Sequence, residues 1–177
     1  GDPLGPAQQR FASTPDGVLR LVEALNRQAA AASPIVANPG ATLRSGVAIH
    51  SLRAVDTGPL QEVAAHARKV SLPVHIHVAE QAQEVADCVA ATGLRPIEWL
   101  LQHVAVDARW SLVHATHATA AELKEVRAAG AAVVLCPSTE ADLGDGIFDL
   151  PGYTGMGGTW AIGSDSHVAR QWTEELR

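Results

Sequence analysis

The chain is poor in cysteine, poor in basic side chains and without long hydrophobic runs, and each shortage removes a class of function. Its two cysteines, Cys88 in a helical pattern and Cys136 at a strand end, show no metal-binding spacing and build no disulfide framework. A reducing compartment, the cytoplasm, is therefore the expected setting. No apolar run reaches the roughly 20 residues that a membrane helix needs, and no signal-peptide pattern opens the chain. Thirteen Lys and Arg stand against 19 Asp and Glu, a formal net charge of -6. Nucleic acid calls for the opposite balance. An anionic small molecule stays admissible, because one local arginine outweighs a diffuse field at short range. An initiator Met is also missing. GDPLGPAQQR opens the chain and QWTEELR closes it within a helical pattern, which gives the expectation of an internal segment of a longer protein.

What is present fits one globular domain. Hydrophobic residues make up 47% of the 177, with mean hydropathy of +0.07 and a pI of about 5.7. Residues 1–14 read as a loop, and Ser13-Thr14-Pro15-Asp16 supplies a helix start, followed by Leu19, Leu21, Val22, Leu25 and Ala29 at helical spacing. After a loop from Pro34 to Pro39 come alternating units. A strand is expected near 46–49, a helix at 57–70, a strand at 73–78 and helices at 81–91 and 96–103. A strand at 110–114, a helix at 119–129, a strand at 131–136, an irregular stretch at 137–158 and a strand at 159–163 complete the series. Strands separated by helical patterns of this length mean βα units and a parallel sheet. Thr119 and Glu122 form a capping-box pattern, with Gly130 as the stop. The glycine-rich stretch 137–158 reads as a long loop over a functional site. Beyond the βα alternation there is no internal repeat.

Four apolar runs end in polar residues. His50 closes GVAIH, His77 closes PVHIH, His114 closes WSLVH and Asp165 closes WAIGSD. In a parallel barrel the chemistry gathers at the carboxyl ends of the strands, and histidine and carboxylate from separate strands suit a catalytic divalent metal. In HIHVAEQ, strand alternation puts His75 and His77 on one face, with Glu80 just past the strand end. A ligating histidine followed three residues later by a carboxylate couples a Lewis acid to a proton carrier. The plainer alternatives are a buried, hydrogen-bonded histidine with a surface glutamate, a core role for His114, and a helix N-cap for Asp165. His66 and His103 read as ordinary helix residues. His117 and His167 read as supporting hydrogen-bond partners rather than ligands.

The series HxHxxE, a later strand-end His and a later strand-end SD resembles the deaminase branch of the amidohydrolase superfamily. IHSLRAV, HIHVAEQ, RPIEWLL, LVHATH, CPSTEADLGDGIF and GSDSHV resemble, within that branch, the formimidoylglutamate deiminase family, over roughly residues 43 to 177. The resemblance implies an α/β fold: a partial (β/α)8 TIM-type barrel, about strands 4 to 8, lacking the first strands and any flanking β-sandwich. The 177 residues fall short of the roughly 250 of a whole barrel.

The function implied is metal-dependent hydrolysis of a non-peptide C–N bond, N-formimidoyl-L-glutamate giving N-formyl-L-glutamate and ammonia in histidine degradation. Transferred residue by residue, His77 and Asp165 would hold one divalent metal, zinc by expectation. Asp165 would also take a proton from the attacking water. Glu80 would pass protons to the leaving ammonia, and His114 would orient the nucleophile. His50 and Arg53 would lie at the substrate, with Arg53 on a carboxylate. For Arg53 the alternative is a surface ion pair with Asp56 or Glu62.

One departure stands out. The family's first strand carries an HxH pair of metal ligands, and the only such pair here is His75 and His77. His75 would lie about 6–7 Å deeper than His77, too far for the same ion, and is expected as a core or supporting residue. Two ligands are fewer than the usual three, so the segment alone is expected to be inactive. The loop also reads STEADLGDG, where the family pattern has a second Thr and an Asn. The expected partner is a small anionic substrate, with no nucleic acid and no membrane. A homodimer and a missing part of the barrel are alternatives for what the apolar helices face. A guanine- or triazine-type deaminase and a non-catalytic barrel fragment are the competing functions.

Overall fold

The structure, a computed structural model, describes residues 5–7, 9, 12–32, 44–166 and 171–176. The loop expected from Pro34 to Pro39, and His167, lie outside these residues. Helix α1 (Pro15–Ala32) leads into β1 (Val47–Ser51), α2 (Thr57–Lys69), β2 (Val74–Val78), α3 (Ala82–Thr92), α4 (Pro96–His103) and β3 (Trp110–His114). Then follow α5 (Ala120–Ala129), β4 (Ala132–Leu135), α6 (Pro137–Leu143), α7 (Leu150–Gly155), β5 (Thr159–Ile162) and α8 (Trp172–Glu175). The five strands form one sheet in the order β1-β2-β3-β4-β5, and every neighbouring pair is parallel. Sequential parallel strands joined by helices form an arc of a (β/α) barrel.

The local signals act as the sequence implies. Thr14 Oγ1 accepts from the Gly17 amide at 3.1 Å and opens α1. At α5, Thr119 Oγ1 accepts from the Glu122 amide at 3.2 Å, and Glu122 Oε2 accepts from the Thr119 amide at 2.8 Å. Gly130, at φ 78°, closes that helix in the left-handed region, where a side chain is costly.

Burial alternates along the first two strands. Val47, Ile49, Val74, Ile76 and Val78 are buried with Leu60, Ala67, Ile97, Leu100, Leu123 and Val126 of the helices. Each large aliphatic side chain buried in this way contributes about 1.5–3 kcal/mol relative to exposure. The opposite face carries Ala48 and His75, which are exposed. His75 shares this face with His77, two residues on along β2, as strand alternation predicts. In register with Ala48 and Ser111, it stands on the face of the arc that the helices do not cover.

The stretch 137–158 is a correction, because it is not one irregular loop. Pro137 begins α6, and Gly144 at φ 71° ends it. Asp149 Oδ1 accepts from the Gly152 amide at 3.0 Å and caps α7. Glycines that resemble loop composition thus serve as helix ends, and only 144–149 joins the two helices. Tyr153, fully buried, packs edge-on against Phe148 and ties α7 to the core.

Candidate functional site

The site begins with backbone strain. Among the described residues, four of the five non-glycine residues with positive φ are Ala79 (51°), His114 (69°), Ala115 (51°) and Asp165 (41°). They sit at or just past the carboxyl ends of β2, β3 and β5. Such conformations cost on the order of 1–3 kcal/mol each and persist only where the surroundings enforce them. The enforcing contacts are visible. The carboxylate of Glu84, buried on α3, accepts from the Ala79 amide at 3.0 Å and the Glu80 amide at 2.9 Å. The Ala115 and His117 amides donate to the carbonyls of Val78 and Ala79 at 3.1 and 3.0 Å. Thr139 Oγ1, on α6, lies 3.3 Å from the Ser164 carbonyl, accepts from the Ser166 amide at 3.2 Å, and is 2.9 Å from Ser166 Oγ. Asp165 is held between these contacts, in a turn rather than as a helix cap.

The strand ends bring six of the sequence-derived residues together: His50, Arg53, His77, Glu80, His114 and Asp165. His77 Nδ1 lies 2.7 Å from the His50 carbonyl. A carbonyl only accepts, so Nδ1 carries the proton and Nε2 presents its lone pair. His77 Nε2 lies 3.5 Å from Asp165 Oδ1. The His114 ring stacks beside His77, with centroids 5.6 Å apart and planes at 26°. Its Nε2 lies 3.6 Å from Glu80 Oε1. Glu80 Oε2 accepts from Arg53 Nη2 at 2.8 Å. Arg53 is thus paired with Glu80. His50 enters through its carbonyl on His77, while its Nδ1 lies 2.9 Å from Ser51 Oγ.

The donor atoms of His77, His114 and Asp165 lie within 4.8 Å of one another. His114 Nε2 is buried without a hydrogen-bond partner among the described residues. A buried polar atom without a partner is costly, and an ion at this point would relieve it. Two imidazoles and a carboxylate fit a divalent metal. The reach of His114 adds a third donor to the pair expected from the sequence.

Electrostatics follow from the crowding of carboxylates. Burial alone would lower the His114 pKa, but the Glu140 hydrogen bond and the charges of Glu80, Glu140 and Asp165 outweigh it and raise the group. Burial raises Asp145, with Glu80 adding to the effect and a Gln81 hydrogen bond opposing it. Burial first, then the His77 and Arg53 charges, lower His50. Burial, reinforced by Asp165 and Glu140, pushes the Cys136 thiol up to about 12.

Sequence reasoning missed Glu84, Thr139, Glu140 and Asp145. Glu84 and Thr139 hold turns, and Glu140 Oε1 lies 3.1 Å from His114 Nδ1. The available signal was position. Glu84 follows Glu80 by one helical turn, and Glu140 follows the strand-end Cys136 by the same interval. His117, expected as a supporting residue, offers its carbonyl to the Arg95 guanidinium.

The model of the amidohydrolase family matches residues 6–177. The chain is 47% identical over all 177 residues to the formimidoylglutamate deiminase of Pseudomonas aeruginosa, covering 37% of that protein. It is 35% identical over 116 residues to the 5-methylthioadenosine/S-adenosylhomocysteine deaminase of Halobacterium salinarum, covering 66% of this chain and 27% of that protein. Among solved structures, an amidohydrolase from Brucella melitensis superimposes with a TM-score of 0.85 at 45% identity, covering 100% of this chain and 37% of that one. A zinc-bound adenosine deaminase from Xanthomonas campestris gives 0.75 at 30% identity, over 86% of this chain and 33% of that one. The chain spans about a third of the length of these relatives.

Proposed function

Because the chain belongs to the amidohydrolase family, we propose that the protein, at the length of its relatives, hydrolyses N-formimidoyl-L-glutamate to N-formyl-L-glutamate and ammonia. The observation that carries this is the convergence of His77, His114 and Asp165 beside a Glu80 that is paired with Arg53. Identity of 47% across the whole chain to a formimidoylglutamate deiminase supports the substrate. His77 and Asp165, with His114 in reach, would hold one divalent metal, zinc by proposal, which when bound lowers the pKa of water toward neutrality.

The remaining chemistry belongs to the chain's own residues. Asp165, its side chain 26% exposed beside His77, accepts the proton of the attacking water. His114, almost wholly buried, orients that water against the formimidoyl carbon. Glu80 carries the proton to the departing nitrogen, so that ammonia leaves rather than an amide anion. Its side chain is 11% exposed, which keeps bulk water from competing for that proton. Arg53, with a side chain 38% exposed, has one nitrogen on Glu80 and reaches solvent, where a substrate carboxylate binds its guanidinium. His50 lies beside it at the mouth. Cytoplasmic placement is part of the proposal; among the described residues, no helix is long and apolar enough to cross a membrane.

The proposal is tested by comparing kcat/KM for N-formimidoyl-L-glutamate, 5'-methylthioadenosine and guanine in the full-length protein that carries this chain. Preference for the anionic amidine supports it. Turnover of a neutral heterocycle alone overturns the choice of substrate.

A further inference from the structure

We propose that Glu140 is the positioning residue of His114, holding its imidazole with a proton on Nδ1 and Nε2 turned toward Glu80 and the reacting atoms. The kinetic part of this inference rests on the function proposed above. The part concerning the imidazole does not.

The geometry is closed on one side of the ring and open on the other. His114 Nδ1 lies 3.1 Å from Glu140 Oε1. That same oxygen accepts from the Cys136 amide at 2.8 Å. Glu140 sits on α6, and its own amide donates to the Cys136 carbonyl at 2.9 Å. Glu140 is thus tied to the end of β4 at two points, once through its carboxylate and once through its backbone amide. An ionised carboxylate only accepts, so the nitrogen facing it carries hydrogen. This leaves Nε2, 3.6 Å from Glu80 Oε1 and without a hydrogen-bond partner among the described residues, as the nitrogen presented to the site.

Burial argues that the arrangement is more than packing. Glu140 is 6% exposed and His114 is fully buried. An apolar side chain of similar length would fill this space without the desolvation cost of a carboxylate. What a carboxylate supplies and an apolar chain does not is a fixed proton position on the histidine. A carboxylate or carbonyl behind an imidazole commonly sets which nitrogen works. His77 has such a partner in the His50 carbonyl at 2.7 Å. Glu140 gives His114 the equivalent support from a different strand end.

The test uses the zinc-loaded, full-length protein, with 15N-labelled histidine followed by NMR and kinetics measured in parallel. In the wild type the account expects His114 Nδ1 to be protonated throughout the pH range of turnover. A His114 carrying its only proton on Nε2 overturns it. Glu140→Met is expected to let the proton move to Nε2 and to lower kcat by about 10- to 100-fold, with KM unchanged. Glu140→Gln keeps an acceptor oxygen and is expected to restore the Nδ1 proton and most of kcat. A Glu140→Met protein that is folded and keeps both the Nδ1 proton and kcat overturns the proposal. If that variant does not fold, the wild-type spectrum decides. If the wild type does not turn over N-formimidoyl-L-glutamate, the functional proposal fails while the spectrum still tests the role of Glu140.

Discussion

Arg53 donates from Nη2 to Glu80 Oε2 across 2.8 Å, and the other oxygen of Glu80 lies 3.6 Å from His114 Nε2. The residue proposed to hold an anionic substrate and the residue proposed to carry protons therefore form one ion pair. A substrate carboxylate bound as proposed would share the guanidinium that already holds Glu80.

Replacing Arg53 by Met removes the charged hydrogen-bond donor. A charge-assisted hydrogen bond contributes about 1.5–3 kcal/mol, equivalent to about 10- to 150-fold. KM for N-formimidoyl-L-glutamate is expected to rise by that factor in steady-state measurements, and Arg53→Lys to fall between. An unchanged KM for Arg53→Met removes Arg53 from the substrate site.

Glu80→Gln keeps the shape of the side chain and removes its proton exchange. General acid-base steps contribute about 10²–10⁴-fold, and kcat should fall within that range. Metal content, read by atomic absorption, should stay at the wild-type level. Loss of metal from this variant would make Glu80 a ligand and contradict its role as proton carrier.

Much of the fold is legible in the sequence because βα alternation depends on local hydrophobic periodicity. Thr119 with Glu122 and Gly130 mark α5 through contacts within a few residues. His50, His77, His114 and Asp165 are visible as polar ends of apolar runs. Glu140, Glu84 and Thr139 are not, because each acts through a partner brought near only by the fold. Thr139, for example, is 27 positions from Ser166. The helices within 137–158 are obscured by glycine and proline, which mark helix ends as well as loops.

Thr139→Val tests the support of the Asp165 turn. The substitution leaves the Ser166 amide without its 3.2 Å acceptor while preserving side-chain shape. A loss of about 1–3 kcal/mol is expected in denaturant unfolding. Metal affinity should weaken by about 10- to 100-fold, as for partners that orient ligands. Unchanged affinity would show that the turn holds Asp165 without Thr139.

Cys136 should resist alkylation. Its thiol is pushed up to about 12, chiefly by burial, so the reactive thiolate is scarce at neutral pH and grows only as pH rises toward that value. Burial also raises Cys88, but that side chain is only partly buried. Iodoacetamide followed by peptide mass spectrometry should therefore modify Cys88 first in the native protein. Preferential modification of Cys136 would contradict the packing at the end of β4.

The most direct measurement is ammonia release from N-formimidoyl-L-glutamate by the full-length protein carrying this chain, first stripped of metal and then given zinc. The account predicts no release from the stripped protein, recovery with zinc, and no recovery in His77→Ala. Full release from the stripped protein, or zinc-restored release that persists in His77→Ala, would contradict it.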